Sequence, residues 1–497
     1  MRTRLRARLL AVVFSSGLLA GLGGAAHGET LAEAIAIAYE SNPAILIARS
    51  QLKQADETYF RAARTFSPTL RADVTITGNT DNDLLPGNNT TGSSSAGVRV
   101  TASGSQPIYT GGRLNAQLRQ QEFQLLSQRE SLRLAEQTLV SNVVTAYVNV
   151  RRAEQTLAVA QSSVVNNSKF REEAQARFEV GQSTQTELQQ ALSRQAQAET
   201  QRIQAEAALQ NARAAYASVV GQLPGTLAEE PSLDPVLPKS VDEASTTAMQ
   251  DNPALRQRYL SERSSAFGIT AARAAYKPTV SLTVNASAAE NNSAAGGARF
   301  GGGLDAAGVT TGITVGIPLF AGLTTPSTVR SAVEANRSDN FSIEQQRRQV
   351  LQNVITQFNN LTSQRASVAS NQVAVAAARI SNEGSILEQQ VGIRTQLDVL
   401  NAEQELRVQE QNLVNARFSA YTAAVELLNQ MGRLDPRIFN PSIVPYDPLV
   451  HFEDVNDFEL PWEPLVREID QIFVEPPPER PAAPGEIVPT FKDIHGQ

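Results

Sequence analysis

Few residues in this 497-residue chain could do chemistry. It has three histidines, His27, His451 and His495, and no cysteine, and no histidine has a ligand-spaced neighbour. The glycines Gly296-Gly297 and Gly301-Gly302-Gly303 lack the Lys-Ser/Thr ending of a phosphate cradle and read as loop. No catalytic, cofactor or metal site is expected. What remains is charge at two related turns, Val180-Gly181-Gln182-Ser183-Thr184-Gln185-Thr186-Glu187 and, 211 positions later, Val391-Gly392-Ile393-Arg394-Thr395-Gln396-Leu397-Asp398. In each, a glycine can take the left-handed conformation that closes one helix, and Thr184 to Glu187 or Thr395 to Asp398 can form a capping box for the next. Two uses of Glu187, Arg394 and Asp398 are open: helix caps and local partners four residues apart, or charges aimed between hairpins that set whether the end of a bundle is open or shut.

The elements that carry these turns are very long. A helical pattern runs from about Arg113 to Phe178, which at 1.5 Å per residue is roughly 100 Å. Within it Val143, Ala146, Val150, Ala153, Leu157, Ala160 and Val164 alternate spacings of three and four, a coiled-coil seam with small residues that permit close approach. A returning helix spans Ser183 to Val220, and an earlier one, interrupted at Asn42-Pro43, spans Thr30 to Thr65. Stacked end to end, these two could pair with the Arg113 helix along its whole length.

The pattern occurs twice. Ser41-Asn42-Pro43-Ala44 answers Asp251-Asn252-Pro253-Ala254, and Phe66-Ser67-Pro68-Thr69-Leu70 answers Tyr276-Lys277-Pro278-Thr279-Val280, both 210 apart. After one extra residue the offset holds at 211, from Pro107/Pro318 through Gly181/Gly392 to Gly221/Gly432, so helix lengths are fixed and the insertion falls in a loop. Each half reads helix, strand, strand, helix, helix. In the first, Leu70, Ala72, Val74 and Ile76 share one strand face while Thr69, Arg71, Asp73, Thr75 and Thr77 share the other. Val98, Val100 and Ala102 continue the pattern; Val280, Leu282 and Val284, then Val309, Thr311, Ile313 and Val315, repeat it. Strands of about ten residues suffice to cross a bilayer when tilted. Four cannot close a barrel of useful bore, and a soluble hairpin is the alternative. The connections Gly78 to Gly97 and Ser287 to Gly308 read as external loops.

Basic residues Arg2, Arg4, Arg6 and Arg8, an apolar run from Leu9 to about Leu22 and small residues up to Gly28 form a secretion signal over 1–28, which would take His27 with it. Its removal changes the formal charge from −7 to −11, and an acidic chain excludes nucleic acid as an expected partner. No later stretch approaches the roughly 20 apolar residues of a spanning helix, so membrane insertion would require strands. The chain divides into a first repeat at 29–222, a proline-rich connector at 223–239, a second repeat at 240–433 and a C-terminal extension at 434–497. In the extension, Glu475-Pro476-Pro477-Pro478-Glu479-Arg480-Pro481 reads as extended or disordered, while His451, Trp462 and nearby aromatics dock a short segment on the helices.

The twofold repeat, its Asn-Pro and strand-leading prolines, Pro318-Leu319-Phe320 before a long helix and the Val-Gly tips together resemble the TolC family of outer-membrane export channels, over roughly Thr30 to Gly432. The resemblance implies a mainly α chain with a small β portion. Long coiled-coil hairpins would form a trimeric α-barrel in the periplasm, and each chain would supply four strands to a shared twelve-stranded barrel in the outer membrane of a Gram-negative bacterium. It further implies a homotrimer in contact with outer-membrane lipid, working with a periplasmic adaptor and an inner-membrane ABC or RND-type transporter in protein secretion or drug efflux. Tyr446-Asp447-Pro448 looks like the extension of the secretion branch.

By motif position the resemblance makes Glu187 an acidic link residue of the gate, Arg394 its basic partner and Asp398 an aperture aspartate, with Val180, Gly181, Val391 and Gly392 as tip turns that meet the adaptor. Gln389 stands where a linking tyrosine often occurs and Asn401 where a second aspartate ring can occur, so a looser latch and a single ring of three carboxylates are expected. The rival reading is a periplasmic coiled-coil adaptor or structural protein, which would have one hairpin inserted in β-rich domains.

Overall fold

The computed structural model describes residues 28–80, 94–294, 306–455 and 460–478. The expected secretion signal before Gly28, the glycine runs of 296–303 and the chain from 479 on, with Pro481 and His495, lie outside these residues.

In the first repeat, α1 (Leu31–Ser41) and α2 (Pro43–Ala63) lead into β1 (Thr69–Thr80) and β2 (Ser94–Tyr109), then α3 (Arg113–Glu179) and α4 (Gln185–Val220). The second has α5 (Val241–Asp251), α6 (Pro253–Arg273), β3 (Thr279–Ala294), β4 (Ala306–Gly316), α7 (Thr324–Gln390) and α8 (Gln396–Gln430). Paired lengths are 11 and 11 residues for α1 and α5, 21 and 21 for α2 and α6, and 67 and 67 for α3 and α7, with 36 and 35 for α4 and α8. The constant offset thus reflects conserved rod lengths. The strands run further than the sequence suggests, taking up Gly78 to Thr80 and Ser94 to Gly97 of one expected loop.

Asn42 and Asn252 explain the breaks before their prolines. Each ends one helix and caps the next: Asn42 Oδ1 accepts from Ala44 N at 2.8 Å, and Asn252 Oδ1 from Leu255 N at 3.1 Å. Their Nδ2 groups donate to the last turn of the returning helix, to Val219 O at 2.7 Å and Gln430 O at 2.8 Å. The chain bends 46° between α1 and the segment Pro43–Phe66. Beyond the bend, α2 and α4 both lie along α3, which also packs on α6 and α8.

The expected seam is the core. Val143 and Val150 are fully buried with Val354, and the main cluster surrounds Tyr147, Tyr216, Leu31, Ile35 and Leu427. Toward the tips it thins to Ala174, Leu188 and Ala191 in one hairpin, and Val375, Ala378 and Leu406 in the other. Among the described residues no single helix is long and apolar enough to cross a membrane; the bent α1–α2 pair passes by composition, and its apolar face is buried.

After α8 the extension forms α9 (Leu449–Val455) and α10 (Glu463–Gln471). His451 Nδ1 lies 3.0 Å from the buried Asp56 Oδ2, and the Phe452 ring packs on Phe60 with centroids 4.8 Å apart, so this part docks as expected, whereas Trp462 stays 45% exposed. The larger anchor is Asp470, which the sequence did not single out. Its carboxylate accepts from Thr110 N (2.5 Å), Thr110 Oγ1 (2.8 Å), Gly112 N (3.3 Å) and Asn115 N (3.4 Å) and Nδ2 (3.1 Å), closing the N-terminus of α3.

Candidate functional site

Two features of the fold carry functional meaning: the hairpin tips and the strand sheet. At the tips α3 and α7 end alike. Gly181 (φ +76°) and Gly392 (φ +82°) are left-handed, and the next residue's N–H returns to the helix, Gln182 to Arg177 O at 2.8 Å and Ile393 to Glu388 O at 2.9 Å. Both capping boxes form. The Thr184 hydroxyl accepts from Glu187 N at 3.3 Å while the Glu187 carboxylate accepts from Thr184 N at 3.3 Å and Ser183 Oγ at 2.5 Å. Asp398 accepts from Thr395 N at 3.0 Å and Thr395 Oγ1 at 2.7 Å. The Thr395 hydroxyl and backbone N–H, with a smaller contribution from Arg394, hold the Asp398 carboxyl below the usual carboxylate range. Val180 and Val391 stand exposed beside their glycines.

Within the chain, Arg394 forms its ion pair with Glu388, reaching back over the turn onto the last turn of α7. It bonds directly to neither Asp398 nor Glu187. Gln389 is buried, and with its amide oxygen turned to α3 it accepts from both terminal nitrogens of Arg177 at 2.9 and 3.0 Å. Asn401 Oδ1 accepts from Arg194 of α4 at 3.1 Å. Both residues therefore tie the second hairpin to the first.

Sequence reasoning missed the centre of this tie. Glu403, about two turns below the start of α8, is buried; its Oε1 accepts from Asn166 of α3 at 3.0 Å and Arg407 at 2.8 Å, and its Oε2 from Asn382 of α7 at 3.0 Å. Gln396 Nε2 adds a bond to Phe170 O at 3.0 Å. The Glu403-Arg407 spacing was visible in the sequence, but it reads like any solvated i, i+4 pair. Among the described residues no group of three or more acidic or histidine side chains could hold a metal ion.

The four strands form one antiparallel sheet in the order β1-β2-β3-β4. Its register settles the question of faces, because directly opposed residues in antiparallel strands share a side. Leu70, Ala72, Val74 and Ile76 oppose Gly104, Ala102, Val100 and Val98; Ala102 and Gly104 oppose Ala286 and Val284; Val284, Leu282 and Val280 oppose Thr311, Ile313 and Val315. One side is thus largely apolar, with Gln106 opposite Leu282 at its base, and Leu70 is 87% and Ile313 68% exposed. The other side carries Arg71, Asp73, Arg99, Thr101, Ser103, Thr283 and Asn285, and Arg71 pairs with Asp73 at 2.7 Å. Among the described residues β1 and β4 each pair on one edge only. A soluble hairpin would bury its apolar side; this one exposes it, as a lipid-facing strand must.

Comparison with known proteins agrees with this geometry. A family model described as "Outer membrane efflux protein" matches residues 34–222 and 244–433. The chain is 29% identical to outer membrane efflux protein BepC of Brucella suis over 90% of its length and 94% of the relative's, and 25% identical to TolC of Vibrio cholerae over 85% and 95%. Alkaline protease secretion protein AprF of Pseudomonas aeruginosa is 24% identical over 63% of this chain and 65% of its own. In structure the chain resembles CusC (TM-score 0.69, 20% identity, 81% and 92% covered) and the VceC outer membrane protein of Vibrio cholerae (TM-score 0.67, 19% identity, 81% and 96% covered), which places the fold among the TolC-like channel-tunnels. Apolar-out strands above roughly 100 Å of paired helix, and a family match spanning both repeats, make this chain a member of the outer membrane efflux protein family, set in the outer membrane of a Gram-negative bacterium with its helices in the periplasm.

Proposed function

We propose that three copies of this chain close one twelve-stranded barrel and one helical tunnel, and that the assembly passes cargo from the periplasmic side to the exterior without chemistry of its own. The observation that carries this reading is the sheet: apolar on one side, polar on the other and open at both edges, so that further copies must complete it. A periplasmic adaptor with one hairpin in β-rich domains has no use for such a surface. An adaptor protein would meet the exposed Val180, Val391 and Ile393 beside Gly181 and Gly392, and an inner-membrane ABC or RND-type transporter would supply the energy.

The gate in this reading is the tip of the second hairpin. Three Asp398 carboxylates would ring the aperture, repel one another and attract polyvalent cations. Glu187 and Arg394 would form the link between neighbouring hairpins, Arg394 exchanging its Glu388 for Glu187 of another hairpin, while Gln389 and Asn401 hold the two hairpins of one chain together. Names among the relatives include both efflux and protease secretion, and the extension led by Tyr446 favours secretion. Deleting the gene and comparing the secreted proteome with drug sensitivity tests this: loss of specific secreted proteins with unchanged drug sensitivity supports secretion, the converse supports efflux, and a protein that fractionates away from the outer membrane refutes the channel.

A further inference from the structure

The two repeats differ at the point where strand passes to long helix. In the first repeat this junction is covered: Tyr109 Oη donates to Ile472 O at 3.4 Å, Asp470 caps α3, and Val474 sits so close that a Cβ added at Gly112 would meet its Cγ2 at 2.2 Å. Among the described residues its counterpart, 211 residues on, is bare. Leu319, Phe320 and Leu323 are 93%, 84% and 73% exposed, and a Cβ at Gly322 would meet nothing within 4 Å. Leu323, the counterpart of Gly112, holds φ +64°, a strained conformation for a leucine that presents its side chain to the surface. Solvent alone gives no reason to keep three large apolar side chains, one of them strained, in this place.

The segment from α10 to Phe473 suggests the cover. It forms a belt along the base of the sheet: Glu463 bonds Ser67 Oγ just before β1, Asp470 sits at α3, and the Lys277 ammonium donates to Phe473 O just before β3. Its leading end therefore lies beside β1, an edge strand, and there it turns Trp462 (45% exposed) and Leu465 (59%) outward. When copies close a barrel, β4 of one must lie antiparallel to β1 of the next. That brings the bare junction after Gly316 to the base of the neighbour's β1, where the neighbour's belt begins.

We propose that Trp462 and Leu465 of one copy cover Leu319, Phe320 and Leu323 of the next, so that the C-terminal extension links neighbouring chains into a closed ring at the base of the barrel. The inference rests on the trimeric reading above. The chain has no cysteine, so paired substitutions report without background. Phe320→Cys with Leu465→Cys, treated in intact outer membranes with a short bis-maleimide, is expected to give covalent dimers and trimers, and neither single variant should. Trp462→Ser with Leu465→Ser is expected to lower the temperature at which the trimer falls apart in detergent, keeping the outer-membrane amount. A heat-sensitive wild-type trimer with no cross-linking between chains overturns the belt and leaves the channel standing. So does cross-linking of the Phe320→Cys and Leu465→Cys pair confined to single chains, which assigns the junction to the chain's own extension. A wild-type protein with no oligomer at all refutes the trimeric reading itself.

Discussion

Glu403 offers the sharpest test of how the tips are held. Replacing it with alanine removes three charge-assisted hydrogen bonds, from Asn166 (3.0 Å), Asn382 (3.0 Å) and Arg407 (2.8 Å), and leaves their donors in a region where Glu403 itself is only 2% exposed. Bonds to a charged group contribute about 1.5–3 kcal/mol each, and breaking a buried pair costs about 3–5 kcal/mol. Arg407 keeps Glu410 at 2.6 Å, which places the loss at the low end, about 3 kcal/mol for Glu403→Ala. Glu403→Gln, which keeps an acceptor and loses the charge, should cost about half of that. The tip core is small and rich in alanine, so the loss is local and appears as opening of the hairpin ends. Amide hydrogen exchange on the detergent-solubilised assembly should show residues 380–405 exchanging about 100-fold faster in Glu403→Ala and about 10-fold faster in Glu403→Gln, at roughly 1.4 kcal/mol per decade. The junction around Asn42 should be unaffected. Exchange within threefold of wild type at the tips would refute the role assigned to Glu403.

Asp398→Asn is expected to weaken block by multivalent cations in single-channel recordings; unchanged block leaves Asp398 a helix cap only. Within one chain Thr395 holds this carboxyl below its ordinary value, so its cap is complete above about pH 4 and is lost only as pH falls through the lower folded value; loss of block well above pH 4 would then measure the repulsion among the three carboxylates of the ring. Arg394→Ser should raise closed-state conductance, and an unaltered value removes Arg394 from the latch. Gly432→Ala should destabilise the assembly more than Gly221→Ala, since both are left-handed (φ +73° and +95°) but only the first would drive a Cβ to 2.4 Å from Asp251 O. Equal melting temperatures for the two variants would contradict this.

Much of the architecture was legible because it rests on periodicities that long elements express many times over. The Arg113 helix ends at Glu179, one residue past its expected end, because sixty-seven residues of seam leave little freedom, and Gly181 marks the stop. The strand faces were equally plain, since alternation over Leu70 to Ile76 assigns each residue to one face, although the pairing register is seen only in the fold. The tip chemistry was only half legible. Capping boxes are local, so Thr184-Glu187 and Thr395-Asp398 could be read directly, whereas Arg394 to Glu388 crosses a turn and Glu403 to Asn166 joins residues 237 apart. Asp470 was hidden for the same reason: nothing near it in sequence indicates that its partners are Thr110 and Asn115. In the extension, proline content pointed to extended chain, and the apolar positions of α9 and α10 acquire a pattern only once the surface they lie on is known.

The paired asparagines before Pro43 and Pro253 have a mechanical consequence. Each long helix is an unbroken beam of 67 residues, while the material beside it comes in two pieces butted together at the asparagine. A beam splinted by a jointed one bends where the joint lies, and the joint here is bridged by side chains: the Asn42 or Asn252 amide to the carbonyl of Val219 or Gln430 and, in the second repeat, Arg433 to Asp251 at 2.7 Å. Sideways movement of the tips can then be taken up at the joint of each repeat, where side-chain bonds give way, without unwinding the continuous helices. The rod acts as a lever with a built-in fulcrum, and the barrel above it need not turn when the tips below it swing.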